Sequence, residues 1–172
     1  DHDLAVKALH LAPDTHPTIG LGSSLTADHV LPLQQRIGGS TVLAATVLKE
    51  LFMRKAEEEI TALRNAAAAI DRVFAAVPKL LQPGRSEQDV ARDLNYLILK
   101  EGHAAVDFII VGSAANGANP HHSYSDRILK AGDVVVVDIG GTYGPNYHSD
   151  CTRTFIVGGP EEQHNPDIAA MY

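Results

Sequence analysis

Apolar residues recur along this chain in two rhythms, and the change between them predicts its elements. From Lys55 the segment KAEEEITALRNAAAAIDRVFAAVPKLL places Ile60, Leu63, Ala67, Ile70, Phe74 and Val77 three and four residues apart, the spacing of one helix face. Glu57 to Glu59 set negative charge at the end of that helix favoured by its dipole, and Pro78 lies near its finish. Gln82-Pro83-Gly84 then makes a turn. Ser86 with Asp89 forms a carboxylate version of the capping box before a second helix, whose buried face is Val90, Leu94, Leu97 and Ile98 and whose end is Gly102.

Past Gly102 the rhythm shortens. Asp107 to Val111 reads as a short strand, followed by a polar Gly/Asn/Pro loop to Asp126, where functional groups tend to sit. AGDVVVVDIGG is a compact β-branched run that predicts a buried strand ending at Asp138 and Gly140, and SDCTRTFIVGG predicts a second strand after the turn region 142–147. Before residue 50 the apolar runs are short and broken by Pro13, Pro17, Gly20, Gly22, Pro32, Gly38 and Gly39, the punctuation of small strands and helices. Ser40 to Leu48 reads as a strand running into a helix. The pattern predicts an α+β chain in two parts: residues 1–52 as a partial N-terminal α/β domain, and residues 53–172 as the start of a second domain.

Composition narrows the classes of function. Hydrophobic residues make up 45% and charged residues 20%, without a biased tract, so most of the chain is expected to fold. Fourteen Lys and Arg against twenty-one Asp and Glu give a net charge of -7 with the basic residues scattered, which argues against nucleic acid as partner. Cys151 is the lone cysteine, so no disulfide closes within the chain and a cytoplasmic location is expected. No apolar run approaches the roughly 18 to 20 residues that cross a bilayer, so no membrane is expected as partner. The chain begins without Met and stops at Ala170-Met171-Tyr172, in what reads as the opening turn of a helix after Pro166, and both ends are expected to be truncated.

Chemistry concentrates in the two strands. A hairpin centred on Gly144 sets Asp138 directly opposite Asp150, with Cβ atoms about 4.5 to 5.5 Å apart and their charges in repulsion. Asp138 follows four valines at the end of a buried run, where an unpaired carboxylate is costly. A divalent cation removes both penalties, and two cations about 3.5 to 4 Å apart match the geometry that activates water in hydrolysis. The other reading is equally open: Asp138 caps the turn through an Asx-type bond and Asp150 pairs with Arg153 or a lysine. On this register Thr152 shares the carboxylate face while Cys151 and Arg153 point away. Thr152 either orients a metal-bound water or is a simple β-former.

Asn119-Pro120-His121-His122 lies in the polar loop before this hairpin. Imidazole exchanges protons near neutral pH and binds metals, so one of the two histidines is a candidate to face a site, the alternative being a solvated surface pair. Glu161, Glu162 and His164 follow the turn Gly158-Gly159-Pro160 and read as a solvated charge cluster, not a metal site.

In order and spacing, RKAEEEITALRNA, QPGRSEQDVA, IIVGSAANGANPHH, KAGDVVVVDIGG and SDCTRTF resemble the pita-bread metallopeptidases, specifically the Xaa-Pro dipeptidase and aminopeptidase P branch. The resemblance runs from about Lys55 to Gly159. It implies an α+β pita-bread catalytic domain, present as its first half only and preceded by the remnant of an N-terminal α/β domain. It also implies a homodimer and two divalent ions (Mn, Co or Zn) held by two Asp, one His and two Glu. Asp138 and Asp150 match the two aspartates, His121 matches the catalytic histidine that contacts substrate, and Thr152 matches a threonine that supports the ligands. The family's metal His and both Glu lie downstream of this chain. The 172 residues are therefore expected neither to close the site nor to bury the full sheet, with the remaining catalytic half supplied by the same or another chain.

The implied activity is hydrolysis of Xaa-Pro dipeptides by metal-activated water. Alternatives are a non-catalytic binding protein on the same fold, or an aminopeptidase P acting on longer Xaa-Pro peptides. A metal-free creatinase-like hydrolase fits the intact aspartates less well. A methionine aminopeptidase fits residues 1–50 less well.

Overall fold

The computed structural model describes residues 18–37 and 39–158, with the single positions Lys7, His16 and Ala170 besides. The segment around Glu161, Glu162 and His164 and the helix start expected after Pro166 lie outside these. The chain divides into two compact units, Asp1–Ala56 and Glu57–Tyr172.

In the first unit β1 (Thr18–Leu21) and β2 (Ser40–Leu43) pair in parallel, Thr18 opposite Ser40 and Leu21 opposite Leu43. A parallel pair needs a crossover, and α1 (Ala27–Ile37) provides it. Pro32 is inside this helix rather than between elements, at the cost of one helical hydrogen bond. Ser40 to Leu48 does run from strand into helix, with α2 beginning at Ala45 and ending at Met53. Gly20 of β1 lies against the junction of β2 and α2: a Cβ there would lie 2.9 Å from the Cβ of Ala44.

The second unit begins with α3 (Glu57–Leu80) and α4 (Glu87–Lys100). The stripe that α3 buries is Ala66, Ala69, Ile70, Val73, Phe74 and Val77. Leu63 and Ala67, expected on it, are exposed, because the buried line is displaced by one position onto alanines. The Ser86 hydroxyl accepts from Asp89 N while the Asp89 carboxylate accepts from Ser86 N, a complete capping box at the start of α4. Val90, Leu94 and Ile98 are fully buried, and Gly102 ends the helix at φ +104°, a conformation glycine adopts without strain.

Three antiparallel strands follow in the order β3 (His103–Ser113), β4 (Val134–Tyr143) and β5 (Tyr147–Ile156), with a short 3-10 helix, Ala114–Ala118, after β3. The helices cover one face, α4 against β3 and α3 against β5. Alternation along β4 sends Val135, Val137 and Ile139 into the core against Val73, Val77, Leu94 and Ile98, and leaves Val136, Asp138 and Gly140 on the other face. The strand continues three residues beyond the end expected at Gly140, to Tyr143.

The two glycines at the middle of β4 are both spaces that neighbours occupy. A Cβ on Gly140 would stand 2.4 Å from the Ser149 carbonyl oxygen and 2.6 Å from the Phe108 ring. One on Gly141 would stand 2.7 Å from the Ala105 carbonyl and 2.9 Å from His103. His103, 4% exposed, lies under Gly141 with its Nδ1 3.2 Å from the Ile98 carbonyl and its Nε2 2.8 Å from Ser149 Oγ. A carbonyl only accepts, so Nδ1 carries the proton and Nε2 accepts from the serine hydroxyl. This is the neutral ring, and burial accordingly holds His103 below the ordinary imidazole range.

Gly140→Ala should cost about 2 kcal/mol or more, since the clash is with backbone and an aromatic ring, and should lower Tm by at least roughly 4 to 8 °C. An unchanged Tm would mean that β4 can move away from Ser149. Because the unfolded chain binds a proton at His103 more tightly than the folded one, stability is complete above pH 6.5, the ordinary value, and is lost as pH falls from there through the lowered folded pKa. The urea midpoint should therefore drop between pH 7.5 and pH 5, and drop less in a His103→Gln variant.

Candidate metal centre and the histidine loop

On the face of the sheet turned away from the helices, the hairpin brings Asp138, Asp150 and Thr152 together, in a register different from the one expected. Tyr143 pairs with Tyr147, so Gly144, Pro145 and Asn146 form a three-residue connection centred on Pro145, with Gly144 at φ +58°. Asp138 consequently stands opposite Thr152, and Asp150 stands opposite Gly140. The correction is two residues, and a shift of two keeps every side chain on its face. Asp138 and Asp150 become diagonal neighbours, with Cα atoms about 7 to 8 Å apart rather than directly opposed. This relieves the head-on repulsion and leaves room for a cation between them.

Thr152 takes the opposed place and donates its hydroxyl to Asp138 Oδ1 at 2.6 Å. Asp138 is half-buried, while Asp150 and Thr152 are exposed. Among the described residues neither carboxylate has a cationic partner. Arg153, the partner considered for Asp150, points to the helix side, where it lies over the Phe74 ring and 4.0 Å from Asp71.

The histidine loop borders the same face. Ile110 of β3 pairs with Asp138. A cavity of about 270 Å³ lies between that strand, Val136 and the loop residues Asn116, Gly117, Asn119 and Pro120, with Asp138 in its wall. His121 follows Pro120 directly, is exposed, and its backbone N–H donates to Asn119 Oδ1 at 3.1 Å. His122 points the other way, into the protein. Its Nε2 lies 2.8 Å from Oε2 of Glu87, a carboxylate with no exposed surface.

Glu87 is the site-shaping residue that sequence reasoning missed. At the first position of a capped helix, a glutamate ordinarily faces water, and nothing in SEQDV marks it as buried. Its Oε1 accepts from Ser113 N (2.8 Å), Ser113 Oγ (2.5 Å) and Asn116 Nδ2 (3.0 Å). Its Oε2 accepts from His122, Ser125 N (2.9 Å) and Ser125 Oγ (2.7 Å). Burial alone would raise its pKa, but the donors from Ser113, His122 and Ser125 outweigh it and hold the carboxyl at about 2. Arg127 adds a second tie, donating to Ser113 Oγ and in a fork to Asp133.

A further polar group lies past Asp150 on the same face. Asp107, at a bulge in β3, accepts from Thr142 Oγ1 at 2.8 Å and from His148 Nδ1 at 2.8 Å, and the contact with His148 holds its pKa below the usual carboxylate range.

Two carboxylates and a supporting hydroxyl are hard oxygen donors, which suits a divalent cation in kind. They are too few to enclose one. No group of three or more His, Cys, Asp or Glu able to hold a metal comes together among the described residues. The helices of the described residues include none long and apolar enough to cross a membrane.

Comparison with known proteins gives the family of the chain. Residues 61–171 match the model of metallopeptidase family M24. The chain is 57% identical over 149 residues to a probable dipeptidase, PepE, of Mycobacterium tuberculosis, covering 87% of this chain and 39% of that protein. It is 36% identical over 118 residues to the Xaa-Pro dipeptidase of Pyrococcus furiosus, covering 68% of this chain and 34% of that one. The crystal structure of dipeptidase PepE from Mycobacterium ulcerans superimposes with a TM-score of 0.83 at 50% identity, over 99% of this chain and 44% of the other. The chain thus spans about two fifths of the length of such relatives. With the family model matched over residues 61–171 and 57% identity over 87% of its length to a probable dipeptidase, the chain belongs to metallopeptidase family M24.

Proposed function

We propose that this chain is the first part of the catalytic machinery of a dinuclear Xaa-Pro dipeptidase. The observation that carries the reading is the placing of Asp138 and Asp150 on one sheet face, diagonal to each other, with the Thr152 hydroxyl on Asp138. Asp138 and Asp150 would hold two divalent ions, of which Mn, Co and Zn are the candidates. The ligands still needed would come from a further catalytic segment, on the same chain or another, in line with the share of its relatives that this chain spans. When bound, such ions supply activated water and polarise the scissile carbonyl.

The chain's own side chains do the rest of what is proposed here. Thr152 holds one oxygen of the Asp138 carboxylate, which would leave the second for a cation. His121, next in sequence to the cavity-lining Pro120, would reach the substrate beside Asp138 and donate a hydrogen bond to the carbonyl oxygen as charge builds on it. The cavity wall of Ile110, Val136 and Pro120 is apolar and would hold a short peptide against the carboxylates. The Xaa-Pro preference rests on the named activity of the Pyrococcus furiosus relative. A homodimer in the cytoplasm is part of the same proposal.

In the complete protein, Asp150→Asn should reduce bound metal and lower Xaa-Pro hydrolysis by on the order of a hundredfold or more while circular dichroism stays unchanged. Full activity in that variant would remove Asp150 from the ligand set. Thr152→Val keeps shape and deletes the hydroxyl, and should weaken metal affinity about tenfold, as read by titration of the apoprotein. Stripping with a chelator should abolish hydrolysis and adding back Mn, Co or Zn should restore it, whereas activity that survives chelation would contradict a metallopeptidase.

A further inference from the structure

One buried charge takes no part in the chemistry proposed above. Glu87 has no exposed surface, yet its two oxygens collect donors from Ser113, Asn116, His122 and Ser125, which together span the loop from the end of β3 to the approach of β4. A buried carboxylate is expensive unless donors satisfy it, and here Ser113, Asn116, His122 and Ser125 supply them and keep it ionised. The loop leaves β3 through Ala114 at φ +48°, a left-handed conformation that costs about 1 kcal/mol for a residue with a Cβ and persists where the surroundings enforce it. The bonds of Glu87 to Ser113 and Asn116, on either side of Ala114, are such an enforcement.

Between Asn116 and Ser123 the loop is tied mostly to itself. His121 N donates to the Asn119 side chain and His122 N donates to the Asn119 carbonyl, bonds that close a turn without fastening it to anything else. Ser123 is fastened to β3 through Val111 N at 2.7 Å. Within the turn, the His122 side chain donates to Glu87 in the body of the unit, and the same turn carries Pro120, in the cavity wall, and His121, next to it in sequence. Because an ionised carboxylate only accepts, the His122 Nε2 carries the proton of this bond.

We infer that Glu87 and His122 are positioning residues for the peptide site: their bond holds the Asn119–His122 turn in place and so fixes the cavity wall and the approach of His121 beside Asp138. The inference rests on the function proposed above. Displacing a substrate-contacting loop by about 1 Å is enough to cost a large factor in rate or affinity, so a single anchoring bond can matter without touching substrate.

The test uses the complete metal-loaded protein with His122→Ala, which removes the tie, and His122→Gln, whose side-chain amide presents a donor at a similar reach. His122→Ala should lower kcat/KM for an Xaa-Pro dipeptide about tenfold, through a raised KM from the displaced wall and a lowered kcat from the displaced His121, with bound metal unchanged. Hydrogen exchange of the amides in 116–123 should quicken in the same variant. His122→Gln should recover both readouts. The inference is overturned if His122→Ala leaves kcat/KM and exchange unchanged, or if His122→Gln is as defective as His122→Ala, since the imidazole would then act for itself. Should the unaltered protein cleave no Xaa-Pro peptide, the functional reading fails separately, and exchange in the two variants still decides whether Glu87 and His122 anchor the loop.

Discussion

The alternation of side chains along β4 is the constraint on which the second unit depends. One set of positions, Val135, Val137 and Ile139, closes the core under the helices. The intervening set carries Asp138 and Gly140 to the opposite face. A carboxylate can sit beside a dry core only because a strand separates neighbours by a full reversal of direction, so that Asp138 shares a backbone with fully buried residues without sharing their surroundings. The glycine pair after it lets the sheet close tightly: on one side Phe108 and Ser149 fill the space over Gly140, and on the other His103 fills the space over Gly141. The site and the core are thus two faces of one ten-residue segment.

Much of this was legible in the sequence. The capping box at Ser86 and Asp89, the Val90, Leu94 and Ile98 stripe and the terminating Gly102 follow from local rules that tertiary packing did not need to override. The grouping of Asp138, Asp150 and Thr152 on one face was legible too, because it depends only on parity. Their pairing was not. Gly144 attracts a turn, but whether the turn is centred on it or on Pro145 depends on backbone angles that composition does not specify, and the difference exchanges Asp150 for Thr152 as the residue opposite Asp138. The burial stripe on α3 was displaced for a similar reason: alanine is weakly hydrophobic, so a pattern reading favours Leu63, while a close helix contact favours Ala66 and Ala69.

Glu87 could not have been found this way. Its neighbours in sequence describe a helix start, and the four residues that satisfy it lie 26 to 38 positions away. Polar networks assembled from distant segments leave no periodic trace. What they leave is composition, here the Ser, Asn and His richness of the loop, which reads equally well as solvated surface. The two adjacent histidines illustrate the ambiguity: His121 lies at the surface and His122 is drawn inward.

The three-residue connection at Gly144 also limits how this hairpin can change over time. Adding or losing one residue there would turn β5 over, exposing Cys151 and Arg153 where Asp150 and Thr152 now stand and pressing an acid into the helices. Changes in pairs would keep the faces but slide Asp150 about 7 Å along β4 at each step, setting it directly opposite Asp138 or carrying it beyond reach of a shared cation. A connection with no chemistry of its own therefore acts as the gauge of the site.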